Sequence, residues 1–105
     1  MKYDKLVRDK IPRIIEKSGR SCRYYMATKD EYPRRLHAKL REEIKEFEED
    51  PCEEELADIM EVLEALMTFY GVDPYEVETA RQAKQFARGS FTDRVVLTEV
   101  LDEVP

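Results

Sequence analysis

The sequence has one histidine, two cysteines, three glycines and no tryptophan in 105 residues. Each shortage removes a chemistry. Zinc ligation wants clustered thiolates and imidazoles, and none are present. A diiron carboxylate bundle wants Glu-x-x-His, and His37 is not placed that way. No Ser/His/Asp or Cys/His set assembles around His37, which lies at the margin of its helix and reads as a surface or boundary residue. Gly19, Gly71 and Gly89 are isolated punctuation, so there is no glycine-rich phosphate loop. Cys22 and Cys52 form no Cys-x-x-Cys pair and read as free thiols in a reducing cytoplasm. No stretch approaches the roughly 20 apolar residues of a membrane span. The opening Met1-Lys2-Tyr3-Asp4-Lys5 leads into no long apolar run, so no signal peptide is expected. The expectation is a cytoplasmic protein.

Cations are also in deficit. Lys and Arg number 18 against 24 Asp and Glu, a net charge of −6. That balance argues against nucleic acid or a membrane surface as a general partner. Charged residues make up 40% of the chain, and Pro and Gly are few. This is the composition of a helix-rich domain, and the length suits one domain over residues 1–105.

The punctuation sets out the helices. Pro12 suits a first helical turn, Ile11, Ile14 and Ile15 give that helix an apolar side, and Ser18-Gly19 ends it. Asp9 is expected near its N-cap. Residues 21–26 (Ser-Cys-Arg-Tyr-Tyr-Met) are short and aromatic, and residues 94–100 are β-branched. The two could form a small two-stranded pairing. Thr28-Lys29-Asp30-Glu31 matches a capping box opening the longest helix, about residues 29–49. Asp50-Pro51-Cys52-Glu53 closes that helix and starts the next, with Asp50 as N-cap. The second helix runs to about Tyr70, and Gly71 ends it. Asp73-Pro74-Tyr75-Glu76 opens a third long helix, about residues 74–88, ended by Gly89. The tight turn at Asp50-Pro51 makes the first two long helices antiparallel neighbours. The fold class is mainly α.

What the chain does have is carboxylates in an unusual phase. Glu43-x-x-Glu46 is followed by Glu55-x-x-Asp58. Residues three apart share one side of a helix. At 100° per residue, Tyr32, Leu36, Leu40, Ile44 and Phe47 form one apolar arc. Glu43 falls inside that arc and Glu46 on its border. Leu56, Ile59, Val62, Leu63, Leu66 and Tyr70 form the apolar arc of the next helix, with Glu55 inside it and Asp58 at its edge. Glu42, Glu49, Glu61 and Glu64 point away and read as solvated. An unpaired buried carboxylate costs several kcal/mol, so it shifts its pKa or finds a cation. Oxygen donors alone favour Mg2+ or Mn2+ over zinc. The competing reading is a solvated acidic face, with Lys39 pairing to Glu43 one turn away as a plain salt bridge.

Two basic groups stand out. Arg8 and Lys10 precede the first helix, where they could contact a phosphate or simply flank a capped, solvated helix start. Arg81, Lys84 and Arg88 share one helix face. They could hold an anion, or be cations favoured near a helix C-terminus.

These residues carry a resemblance. Glu43-x-x-Glu46 with Glu55-x-x-Asp58 resembles the signature of the all-α nucleoside triphosphate pyrophosphohydrolases, the MazG-like superfamily. Residues 3–12 (Tyr-Asp-Lys-Leu-Val-Arg-Asp-Lys-Ile-Pro), residues 55–62 (Glu-Leu-Ala-Asp-Ile-Met-Glu-Val) and Arg81-x-x-Lys84-x-x-x-Arg88-Gly89-x-Phe91 resemble the subgroup described as phosphoribosyl-ATP pyrophosphohydrolase-like. Ser90 departs from it, standing where the subgroup has a second glycine. The three blocks are spread along most of the chain, from residue 3 to residue 91. The resemblance implies a helical bundle completed by oligomerisation, as a homodimer or higher homo-oligomer. It also implies Mg2+-dependent cleavage of a nucleoside triphosphate between the α and β phosphates, giving monophosphate and pyrophosphate. Glu43, Glu46, Glu55 and Asp58 are then the metal ligands. Arg8, Lys10, Lys84 and Arg88 are candidate phosphate contacts. Glu46, on the arc's border and able to reach both metal and solvent, is the candidate general base, and Glu43 shares the catalytic assignment. House-cleaning of noncanonical or surplus nucleotides is the leading role. The alternatives are phosphoribosyl-ATP hydrolysis in histidine synthesis and a non-catalytic nucleotide- or metal-binding helical module.

Overall fold

A computed structural model describes residues 3–102. Four helices occur among them: α1 (Ile11–Lys17), α2 (Tyr32–Glu49), α3 (Glu53–Tyr70) and α4 (Pro74–Arg88). The mainly α expectation holds. Residues 21–26 and 94–100 are not strands, and no strand occurs among the described residues. A lone β-branched segment has no ladder to satisfy its N–H and C=O groups, so propensity alone does not make it a strand. The chain divides into two compact units, Met1–Val72 and Asp73–Pro105.

In the first unit, α2 and α3 pack against each other as a helical hairpin. Leu36, 1% exposed, and Val62, 9% exposed, are its buried apolar residues. Half-buried Tyr32 meets Phe69 edge-on, with ring centroids 5.5 Å apart. The apolar arcs are wider than the hairpin contact. Ile44, Leu56, Leu63 and Tyr70 of those arcs remain exposed.

Helix boundaries differ from expectation where backbone sterics overrule the cap pattern. Asp50 ends α2, its N–H donating to the Glu46 carbonyl at 3.0 Å, and does not cap α3. A residue before proline is driven out of the α region, and Asp50 is non-helical at φ −145° and ψ 79°. Cys52 is the N-cap of α3, extended and without a side-chain cap bond, and Glu53, Glu54 and Glu55 fill the first turn. Those acids complement the positive end of the helix dipole. At the start of α2 only half a capping box forms. Thr28 Oγ1 accepts from the Glu31 N–H at 3.2 Å, while the Glu31 side chain turns to Tyr25 and Arg35. Residues 29–31 form a turn and the helix begins at Tyr32. Lys10, not Asp9, holds the N-cap position of α1, without a side-chain cap bond. Gly71, at φ +67°, closes α3 in the left-handed conformation that glycine adopts without steric cost.

In the second unit, α4 starts as the Asp-Pro pattern predicts. The Asp73 carboxylate accepts from the Tyr75 N–H at 2.9 Å, and Pro74 occupies the first turn. Every described residue of this unit is exposed, Phe86 and Phe91 almost completely.

Candidate metal centre

The α2–α3 hairpin sets the carboxylates. Glu43 lies on the face of α2 that carries Leu36, seven residues earlier and two turns away. It is buried with it, at 6% exposure. Glu55 and Asp58, three residues apart on α3, are half-buried. One carboxylate oxygen from each of Glu43, Glu55 and Asp58 lies within 4.8 Å of the others. Three of the four predicted ligands are therefore brought together. Glu46 is half-buried beside them and outside that trio, although its charge acts on both Glu43 and Glu55.

Two oxygens of the cluster, Glu43 Oε2 and Glu55 Oε2, are buried and accept no hydrogen bond from the described residues. Burial pushes the Glu43 carboxyl above its ordinary value; Lys39 pulls it down, and the charges of Glu46 and Asp58 push it up again. Burial also raises the Glu55 carboxyl, reinforced by Glu46, Asp58 and Glu43. The charges that act most on Glu55 are those of anions, Glu46, Asp58, Glu43 and Asp50.

One oxygen each of Glu43 and Asp58 is held by a cation of the chain itself. Lys39 Nζ lies 3.2 Å from Glu43 Oε1 and 2.8 Å from Glu42 Oε2. Burial pulls the Lys39 ammonium down, but its bonds to Glu42 and Glu43 outweigh that and leave it raised. The Lys39–Glu43 pair anticipated from the one-turn spacing is thus present, in addition to the cluster. Glu42 is not the solvated residue the helical wheel suggests. It is half-buried, bridged by Lys39 and by Lys5 Nζ at 3.0 Å. Arg8 Nη2 donates to Asp58 Oδ1 at 2.6 Å, and its Nη1 lies 4.0 Å from Glu61. The bond to Asp58 raises the Arg8 guanidinium further above its already high value.

Of the candidate phosphate contacts in the first unit, Arg8 touches this cluster. Lys10 is exposed at the start of α1. Lys84 and Arg88 are exposed on α4 of the second unit. Arg81, on the same stripe, is engaged by Glu78, with its Nε 2.8 Å from Glu78 Oε1.

A second polar network escaped sequence reading. Arg35 donates to the Asp4 carbonyl at 3.0 Å, to Asp4 Oδ1 at 2.8 Å and to Glu31 Oε2 at 2.9 Å. Tyr25 also donates to Glu31 Oε2, at 2.5 Å. The i,i+4 pair Glu31–Arg35 is visible in the sequence, but the tie to Asp4, 31 residues away, is not. On the side of α2 away from Glu43, exposed His37 is hydrogen-bonded through Nε2 to the Tyr70 hydroxyl at 2.9 Å. Pro33, Arg34 and Arg41 complete a shallow hollow there. This agrees with the boundary reading of His37.

The donor set is oxygen only, anionic and partly desolvated, which suits Mg2+ or Mn2+. Among the described residues no helix is long and apolar enough to cross a membrane. No protein-family model, curated protein or solved structure matches the chain.

Proposed function

We propose that the chain is a Mg2+-dependent nucleoside triphosphate pyrophosphohydrolase. It would cleave the α–β phosphate bond, with noncanonical or surplus nucleotides as the favoured substrates. The observation that carries this reading is the pair of buried, unpartnered oxygens, Glu43 Oε2 and Glu55 Oε2, beside Asp58. Orphaned buried carboxylate oxygens are destabilising unless something fills the space between them. A divalent ion does that, and an acidic site needs one to receive an anionic substrate. Mn2+ would serve in place of Mg2+.

Glu43, Glu55 and Asp58 would hold the ion, with Glu46 beside them. When bound, the ion supplies charge neutralisation and polarises the phosphoryl group. Glu46 would take the proton of the attacking water. The water oxygen then bonds to one phosphorus of the α–β bridge, the bond from that phosphorus to the bridging oxygen breaks, and monophosphate and pyrophosphate leave. Arg8 offers a guanidinium to the phosphates, with Lys10, Lys84 and Arg88 as further candidates. The exposed apolar faces of α2 and α3 support a homo-oligomer, because Leu36 and Val62 are the only buried apolar side chains among the described residues.

One other reading has an observation on its side. Arg8 and Lys39 already pair with Asp58 and Glu43, as a non-catalytic helical module with a structural charge network would require. The deciding experiment is a product assay on ribo- and deoxyribonucleoside triphosphates, damaged nucleotides and phosphoribosyl-ATP, with and without Mg2+. A Glu43→Ala/Glu55→Ala double variant is the control. Metal-dependent monophosphate and pyrophosphate, lost in the control, is the expected result. Orthophosphate release would refute the reaction class. Folded protein with no turnover on any substrate would favour the binding module. Preference for phosphoribosyl-ATP would move the role to histidine synthesis.

A further inference from the structure

Residues 3–10 form an irregular segment that lies against the α2–α3 hairpin, with half-buried Leu6 its least exposed residue. Charge holds it there. Asp4 is tied to Arg35, Lys5 to Glu42, and Arg8 to Asp58. Two of those three ties end on or beside the carboxylate cluster. The Arg8 side chain is 55% exposed, whereas Lys39 is 16% exposed and rooted in α2 between Glu42 and Glu43. Lys39 is therefore a fixed counter-ion and Arg8 a displaceable one.

The charges of the cluster do not balance without a further cation. Glu43, Glu55 and Asp58, with Glu46 acting on them, outnumber Arg8 and Lys39, and Lys39 is shared with Glu42. A divalent ion on the trio would compete with Arg8 for Asp58, whose Oδ1 Arg8 Nη2 holds at 2.6 Å. A guanidinium cannot shed its charge by losing a proton. It must find another anion, and the rest of the segment keeps it near the cluster. Its planar fork of donors matches the oxygens of a phosphate.

We propose that Arg8 is an exchangeable counter-ion: it holds Asp58 in the ion-free protein and passes to a phosphate of the anionic ligand when a divalent cation takes Asp58. This rests on the divalent-cation reading of the cluster. Residues 3–10 then act as a strap that loosens with cation alone and closes again on a phosphate-bearing ligand.

The test uses the full chain, Mn2+ as the cation and inorganic pyrophosphate as the phosphate probe. Mn2+ binding is read by electron paramagnetic resonance, and backbone hydrogen exchange is followed over residues 3–10. Arg8→Gln should bind Mn2+ alone about two- to fivefold more tightly, the range an exposed ion pair is worth. The same variant should bind pyrophosphate in the presence of Mn2+ about tenfold more weakly, the effect of losing a charge-assisted contact. Arg8→Lys should fall between. In the unmodified chain, Mn2+ alone should speed exchange in the segment, and pyrophosphate should slow it again. If Glu43→Gln abolishes Mn2+ binding while Arg8→Gln leaves it unchanged or weaker, the divalent site stands and the counter-ion role is overturned. If the unmodified chain binds no Mn2+, both are overturned.

Discussion

Replacing Glu43 by glutamine separates a metal ligand from a structural carboxylate. The amide keeps the shape of the side chain and removes its charge. In the ion-free protein, that charge is buried at 6% exposure with Oε2 unpartnered, and burial opposes its ionisation. Lys39 is not orphaned by the change, because Glu42 Oε2 remains 2.8 Å away. Without divalent ions at neutral pH, Glu43→Gln should therefore melt no lower than the unmodified protein. With Mg2+ the order should reverse. A ligand at one hundred times its Kd adds about 2.7 kcal/mol to the native state. For a unit the size of Met1–Val72, each kcal/mol shifts Tm by about 4–8 °C, so the gain is on the order of 10–20 °C. Glu43→Gln should show a small fraction of it. Differential scanning calorimetry with chelator and then with saturating Mg2+ reads both halves. A variant that melts well below the unmodified protein in chelator, together with an unmodified protein that ignores Mg2+, would refute the reasoning and make Glu43 a structural partner of Lys39.

The acid side supplies a second expectation. Glu43 and Glu55 have raised values in the native state, above the ordinary 4.5. Between 4.5 and those raised values the folded chain holds more protons than the unfolded chain, so their contribution to stability falls as pH rises. The Mg2+-induced rise in Tm should shrink as pH drops through the same window, and melts at stepped pH with and without Mg2+ check this. Glu42 runs the opposite way. Burial opposes its charge, but Lys39 and Lys5 outweigh that and hold it below 4.5, so its contribution is lost only as pH falls through its lowered value. Leu36→Ala should destabilise the first unit by about 2–5 kcal/mol, the usual cost of truncating a fully buried leucine, as read by urea denaturation. Gly71→Ala should cost about 1–2 kcal/mol from the left-handed backbone alone. A Cβ at Gly71 meets no atom within 4 Å, so a much larger loss in the same urea melts would point to a contact made in an assembly.

Local periodicity carries most of the first unit. The wheel phase of Glu43 against Leu36 predicts a buried acid, and it is buried. The Asp73-Pro74 start and Gly89 stop mark the bounds of α4. The features illegible in the sequence are set by contacts between distant residues. Arg8 meets Asp58 across 50 positions, and Arg35 meets Asp4 across 31. Such ties depend on where the irregular segment lies, which no helical period encodes. At Asp50 two signals compete at one position. Its side chain suits an N-cap, while the following proline disfavours helical backbone there and the preceding helix ends. In the segment 94–100 strand propensity has no partner strand to act on, and the backbone stays irregular.

The connection between α2 and α3 is only Asp50, Pro51 and Cys52. It joins the two acid-bearing helices so closely in sequence that Glu43 and Asp58 meet after a very short loop closure. Contacts of low sequence separation form early in folding. Mutual repulsion among Glu43, Glu55 and Asp58 is then felt at the folding barrier, before the chain has gathered its remaining contacts. If the proposed divalent cation binds the cluster, it should speed refolding as well as slow unfolding, because it removes a repulsion that the short hairpin turn brings to bear early.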